Sequence, residues 1–304
     1  MALPARRLSS AGSTETIATV LGGFSLEATF PKPAEIDALK RAAPAGTRIY
    51  LSCLPNRSPE KLVEYAANVR NAGFEPVPHL TARAYESREM VDRLLSRLTT
   101  EAGVRSALVI AGDRDDVAGP FTSALDLMES GALEAHGIRE VDISAYPDGH
   151  PKIDDTVLRR ALADKLAAVA KRDLKVNITS QFCFDPDHIL AWLRGLRADG
   201  ISLPVRVGVA GPTSIPTLMR FALRCGVRAS LKGALNPKAM QLFGGVAAPD
   251  TIIRALAEAP DRPQLGPFSI HFFSFGGLVE TADWASNANS GRIEPTDAGF
   301  KVIR

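Results

Sequence analysis

Short apolar runs alternate with longer amphipathic ones along most of the chain. Runs rich in Val, Ile, Leu and Phe predict strands at 24–29, 48–53, 75–80, 107–111, 140–145, 175–180, 205–209 and 268–274. Apolar positions at helical spacing between them predict helices over 34–41, 59–72, 87–101, 121–131, 156–171, 187–199 and 215–225. Punctuation agrees with the periods. Ser58-Pro59 reads as an N-cap with proline at the first helical position. Gly73, Gly103, Gly131, Gly200 and Gly226 each stand just past a helical run, where a left-handed residue ends a helix. One stretch breaks the rhythm: 237–244 and 249–258 place an extra helical segment before the eighth strand, and a final helix follows over 278–287.

Eight strands, each followed by helix and with no Pro-, Gly- or Ser-rich linker between them, predict the α/β class. The expected form is a single (β/α)8 TIM barrel over 23–304 with the extra helical segment before its eighth strand. Residues 1–22 read as a flexible N-terminal arm. An open doubly wound sheet would want a glycine fingerprint after the first strand. The residues there are Ala28-Thr29-Phe30-Pro31-Lys32-Pro33, and neither GxGxxG nor a P-loop occurs in the chain.

Composition narrows the partners. Lys+Arg 36 against Asp+Glu 34 leaves a formal charge of +2, so no electrostatic reason exists to expect nucleic acid or an anionic membrane. Arg159, Arg160, Lys165, Lys171, Arg172 and Lys175 are interleaved with acids and read as a solvated helix face. No run approaches the roughly 18 apolar residues of a membrane span. Cys53, Cys183 and Cys225 are odd in number and widely spaced, which argues against a disulfide framework or a structural zinc and predicts a reducing, cytoplasmic setting.

In a barrel of this kind the chemistry sits at the carboxyl ends of the strands. The first strand carries Glu27 within an apolar run. The third ends in Pro78-His79-Leu80-Thr81, the fourth in Ala111-Gly112-Asp113, the fifth in Tyr146-Pro147-Asp148-Gly149-His150, and the sixth in Gln181-Phe182-Cys183-Phe184-Asp185. Each has a plain structural reading: Gly112-Asp113 and Tyr146-Pro147-Asp148-Gly149 as turns, Glu27 as a solvent-facing acid, His79 and Gln181 as packing. Their joint occurrence at the ends of successive strands favours one shared mouth instead. A metal site from Glu27, His79, Asp113 and His150 is the first rival, but no His-x-His or HExxH spacing supports it, so no metal is expected.

Together these segments resemble the methylenetetrahydrofolate reductase family, in its bacterial catalytic-domain form. The matching pieces are Leu26-Glu27 with Phe30-Pro31; Pro78-His79-Leu80-Thr81; Gly112-Asp113; Ala124-Leu125-Asp126-Leu127; Ala145-Tyr146-Pro147 with Gly149-His150-Pro151; Gln181-Phe182 with Phe184-Asp185; and His271-Phe272-Phe273. The resemblance implies a flavin enzyme that interconverts 5,10-methylenetetrahydrofolate and 5-methyltetrahydrofolate, with FAD as cofactor, NAD(P)H as hydride partner and folate as substrate. It implies Glu27 as general acid and Asp113 as the negative charge near flavin and pterin. Gln181 and Phe184 would bind substrate. Ser52, His79, Gly112, Asp113, Ala124, Tyr146, His150 and Lys165 would bind cofactor. A homo-oligomer is compatible with this reading. Its alternative is a folate-binding barrel that hands 5-methyltetrahydrofolate to a partner without redox chemistry.

Departures from the family pattern mark a divergent member. Ala111 stands where the family has arginine before Gly-Asp, and the second strand ends Ser52-Cys53-Leu54-Pro55 in place of Thr-Tyr-Gly-Ala. Ile215 follows the seventh strand where the family carries an aromatic. Ser274-Phe275-Gly276-Gly277 lacks the arginine usual after the eighth, and the turn before the sixth is longer.

Overall fold

The computed structural model of the chain describes residues 10–52, 60–170, 172–225, 227, 246–275 and 277–303. Eight parallel strands close into a barrel: β1 (Ser25–Thr29), β2 (Arg48–Ser52), β3 (Glu75–Thr81), β4 (Ser106–Ile110), β5 (Glu140–Ala145), β6 (Lys175–Ser180), β7 (Val205–Ala210) and β8 (Phe268–Phe273). Neighbours in space are neighbours in sequence, and β8 closes on β1 with Ser25 opposite His271 and Glu27 opposite Phe273. All eight expected strands are present, with ends shifted by a residue or so.

Period two in the strands sorts side chains into two cores. Leu26, Ile49, Leu51, Val109, Val141, Ile143, Val207 and Phe272 belong to the large core shared with the surrounding helices. These include α2 (Pro33–Ala42), α3 (Lys61–Asn71), α4 (Arg88–Glu101), α7 (Asp155–Val169), α8 (Pro186–Ala198) and α11 (Leu278–Asn289), while α9 (Ile215–Cys225) packs Leu218 and Ala222 into a separate cluster with Phe182 and Phe184. The alternate positions face the lumen, where Tyr50, Val77 and Leu108 form a separate small apolar group.

The rest of the lumen is polar, in contrast to the branched apolar filling usual in this fold. Asp142, 1% exposed, accepts from the Tyr50 hydroxyl, from Asn177 Nδ2 at 2.8 Å and from Thr179 Oγ1 at 3.0 Å, and faces Arg206 Nε at 3.6 Å. Below it, Arg48 grips Glu140 through both guanidinium nitrogens, at 2.5 and 2.9 Å, and Asn177 also donates to Glu140.

Three expectations need correction. The arm expected over 1–22 is, from residue 10, a helix, α1 (Ser10–Leu21). It lies against α10 (Asp250–Ala257) and α11, with Ile17, Val20 and Leu21 buried. Those three recur at helical spacing, and Ser13 Oγ donates to Glu258 Oε1 at 2.5 Å. The helix expected over 121–131 is two, α5 (Ala124–Glu129) and α6 (Ala132–Ala135), because Gly131 between them is left-handed at φ +74°. Beyond the expected final helix, Ile293–Pro295 and Phe300–Val302 add an antiparallel hairpin tied down by buried Asp250, which accepts from Phe300 N. Of the extra segment before β8, α10 is present; 237–244 lies outside the described residues, as do Cys53 to Pro59, Lys171, Gly226 and Gly276.

Candidate active site

Glu27 lies two residues below the upper end of β1. Leu26 points outward into the helix layer, so the alternation turns Glu27 into the lumen. Its side chain is 17% exposed, and two imidazoles face the same carboxyl oxygen: Oε2 stands 3.6 Å from His271 Nε2 and 3.7 Å from His79 Nε2. Burial raises the Glu27 carboxyl above the usual glutamate range, against the pull of His79. Of the apolar neighbours expected around Glu27, Phe24, Leu26 and Phe30, the first two belong instead to the outer core and Phe30 packs on Tyr65; imidazoles face the carboxyl.

The two histidines differ from ordinary surface ones. Burial lowers His79, with Glu27 opposing and His271 reinforcing. Burial pushes His271 down to about 3, with Arg206 lowering it further and Asp142 opposing. Both are therefore neutral imidazoles near pH 7. His79, expected among the cofactor contacts, sits inside the barrel against Glu27.

At the rim, Asp113 is exposed, three residues past the end of β4, and its charge acts on both Tyr146 and His150. Gly112 beneath it needs φ +93°, and a Cβ there would stand 3.2 Å from Thr81 Cβ, so a side chain is excluded twice over. Tyr146 and His150 meet edge to face at 5.2 Å. Burial raises the Tyr146 phenol, a Ser144 hydrogen bond opposes this, and Asp113 adds to the rise. Burial lowers His150, with Asp113 opposing.

Ser144 joins this group to Lys165 on α7, whose Nζ donates to the Ser144 carbonyl at 3.3 Å. Lys165 is 8% exposed, and burial lowers it to about 8. Ala124 is buried at the first position of α5, whose start is fixed by Ser123 Oγ accepting from Asp126 N at 3.2 Å and by the Asp126 carboxyl accepting from Ser123 N at 3.0 Å.

On the neighbouring strand, Gln181 follows β6 directly. Its Oε1 accepts from Phe182 N at 3.1 Å, and its backbone N donates to Ala145 O at 2.8 Å. Phe184 packs on Phe182 with ring centroids 5.5 Å apart. Ser52, at the top of β2, hydrogen-bonds the Thr29 hydroxyl at 2.6 Å.

Glu27 with His79, Asp113 with Tyr146 and His150, and Gln181 with Phe184 are thus three groups around one end of one barrel. Sequence reasoning missed a fourth. Phe182 touches Phe273 at 5.1 Å and Phe275 at 5.2 Å, and Phe221 of α9 stacks on Phe275 at 4.4 Å with planes 19° apart. This aromatic wall stands where an aromatic after β7 seemed missing; Phe221, six residues past Ile215, supplies one. Phe30 and Phe275, immediately above β1 and β8, both take left-handed backbone, at φ 49° and 47°. Bulky residues accept such strain rarely, and mostly at sites that use it. Among the described residues, no three His, Cys, Asp or Glu side chains gather as a metal ion would need, and no helix is long and apolar enough to cross a membrane.

Known proteins share this framework. Methylenetetrahydrofolate reductase (NADH) 1 of Arabidopsis thaliana is 25% identical over 190 residues, 58% of this chain and 32% of its own length. Methylenetetrahydrofolate reductase 1 of Schizosaccharomyces pombe is 30% identical over 176 residues, 53% of this chain and 27% of its own. The chain thus spans about a third or less of those relatives. A Clostridium thermocellum protein that binds two copies of 5-methyl-5,6,7,8-tetrahydrofolic acid superposes with a TM-score of 0.57 at 12% identity, over 88% of this chain and 93% of that one. A 2,3-dimethylmalate lyase superposes with a TM-score of 0.51 at 10% identity, over 90% and 82% of the two chains. At those identities the two superpositions speak for the barrel alone. The methylenetetrahydrofolate reductase family profile matches residues 36–261, most of that barrel, and the chain belongs to this family.

Proposed function

We propose that this barrel is a flavin-dependent oxidoreductase that interconverts 5,10-methylenetetrahydrofolate and 5-methyltetrahydrofolate, with NAD(P)H as hydride partner. Family membership supports the reaction class. The observation that carries the reading is the Glu27 carboxyl, which burial beneath the mouth of the barrel raises above the usual glutamate range, between two imidazoles. A protein that only carries folate has no use for a buried acid. An enzyme that opens the bridging methylene of its substrate does.

Glu27 gives a proton to the bridging nitrogen, the ring opens, and an iminium cation develops. Asp113, exposed at the lip, places a fixed negative charge where that cation forms. Gln181 keeps its amide N–H groups for the pterin edge, since its oxygen is turned to its own backbone. The aromatic wall of Phe182, Phe273, Phe275 and Phe221 offers the heterocycle a face to stack on.

The chemistry that FAD supplies when bound is the hydride transfer itself. The residues present fit it, better for the ring than for the diphosphate. Tyr146 and His150 form an edge-to-face aromatic pair beside Asp113. Lys165 is a buried cation whose hydrogen bond goes to a carbonyl, so its charge remains for an anion. Ala124 at the buried start of α5, Ser52 at the top of β2 and backbone at Gly112, where no side chain intrudes, complete the set.

A second reading, a barrel that hands 5-methyltetrahydrofolate on without redox chemistry, is favoured by Ala111 in place of the expected arginine. The folate bound by the Clostridium thermocellum barrel is compatible with either reading. Glu27→Gln separates them. As an enzyme, the protein loses turnover by about 10²–10⁴-fold and still binds 5-methyltetrahydrofolate with near-parental affinity. A carrier would transfer folate as well after the substitution as before it, and that result would remove the catalytic reading.

A further inference from the structure

His271 reaches Glu27 from the opposite side to His79, and nothing in the proposed reaction has yet used it. It is fully buried, its ring packs on Tyr50 at 4.5 Å, and its Nδ1 meets Ser25 Oγ at 2.9 Å. Its Nε2 has no hydrogen-bond partner and points at Glu27 Oε2, 3.6 Å away. A buried ring nitrogen left without a partner destabilises the fold unless something occupies it. Among the described residues, the polar atom that faces it is the Glu27 carboxyl oxygen. At 3.6 Å the pair stands just beyond hydrogen-bond range, and catalytic hydrogen bonds are often long in the free form of an enzyme site.

We propose that His271 is a positioning residue that holds the acid proton on Glu27: its Nδ1–H donates to Ser25, which leaves the Nε2 lone pair to accept from Glu27 Oε2–H. The proposal rests on the reading of Glu27 as the acid of a folate reaction. With the Ser25 hydroxyl as acceptor the His271 proton stays on Nδ1, and the tautomer decides the sign. A lone pair facing Oε2 favours the protonated acid, whereas an N–H in the same place would favour the carboxylate. His79 Nε2, on the other side of the same oxygen, is placed to donate, and a hydroxyl oxygen can give one hydrogen bond and take another. When Glu27 protonates the substrate, its O–H bond breaks, the substrate N–H bond forms, and the negative charge left on Oε2 faces His79. No net charge passes to His271, whose ring is far from protonation because Arg206 and burial oppose it.

The groups around Glu27 are few. His79 faces it from β3 and His271 from β8. Tyr50 of β2 packs between the two rings, while Asp142 of β5 and Arg206 of β7 act on His271 from below. Ser274 donates to the Glu27 carbonyl and leaves the carboxyl alone.

The test is an infrared titration of the full chain without flavin or folate, following the protonated carboxyl band that disappears in Glu27→Gln. Ser25→Ala frees the His271 tautomer without touching the carboxyl. His271→Asn keeps an amide at the Nδ1 place and removes the group facing Glu27. Both are expected to lower the midpoint of that band by about one pH unit. His271→Gln, which restores an amide near the Nε2 place, is expected to return it toward the parental value. A midpoint unmoved in Ser25→Ala overturns the proposal even where the His271 variants fail to fold. Equal shifts in His271→Asn and His271→Gln overturn it too, since they would reflect packing alone. With folate present, the alkaline limb of turnover should move with the band. Absent turnover in an otherwise shifting series counts against the folate reaction and leaves the His271 assignment standing.

Discussion

A carboxyl group two residues below the lip of a barrel meets little water, and the proton equilibrium of Glu27 reflects that setting. The native chain keeps its proton where an unfolded chain, with an ordinary glutamate near 4.3, has already given it up. Between those two values the native state binds more protons than the unfolded one, so rising pH costs stability through this residue. Each unit of the rise is worth ~1.4 kcal/mol. Glu27→Gln removes that cost. At pH 4 variant and parent should unfold at nearly the same denaturant concentration, and by pH 7 the variant should be the more stable. Parallel stability curves from pH 4 to 8 would show that Glu27 ionises normally. The apolar run around Glu27 was legible in the sequence, and with it the position of an acid in a strand. Its imidazole neighbours were not, because His79 and His271 are 192 positions apart in the numbering and meet only when β8 closes on β1.

At the scale of elements, the strands carry a polar lumen that holds the barrel as firmly as the outer apolar layer does. Asp142 of β5 ties Tyr50 of β2, Asn177 and Thr179 of β6 and Arg206 of β7 to one point. Asp142→Ala takes from Arg206 its nearest counter-charge and from Tyr50, Asn177 and Thr179 a shared acceptor. The expected loss is about 3–5 kcal/mol, read as a lower urea midpoint at unchanged slope. A loss below about 1 kcal/mol would mean that the lumen is wet enough to replace the carboxylate. The eight strands and most helices were readable from period and punctuation, because outward positions such as Ile49, Leu51, Val141 and Ile143 mark the strands directly. The lumen network was not readable. A polar residue at every second position looks the same whether it faces solvent or the inside of a closed barrel. The helix α1 was hidden for another reason. Its three buried apolar positions, Ile17, Val20 and Leu21, sit at the end of a run of small polar residues, and its stability comes from packing on α10 and α11.

For the molecule as a whole, closure of the barrel brings Glu27, Asp113, Tyr146, His150, Gln181 and Phe184 to one end, as the order of strand-end motifs predicted. The aromatic wall formed by Phe221 and Phe275 was missed, since it joins a helix to a strained loop that no motif marks. The mouth therefore holds a buried carboxyl, a rim carboxylate, an aromatic face and the buried Lys165, the set on which the proposed hydride transfer to a folate iminium rests. The most direct test is anaerobic: load the protein with FAD, reduce it with NADH, then add 5,10-methylenetetrahydrofolate and follow the flavin's visible absorption band. The band should bleach with NADH and return with folate in the parent, and should bleach but stay bleached in Glu27→Gln. A parent protein that takes up no FAD, or whose reduced flavin ignores the folate, would contradict the account.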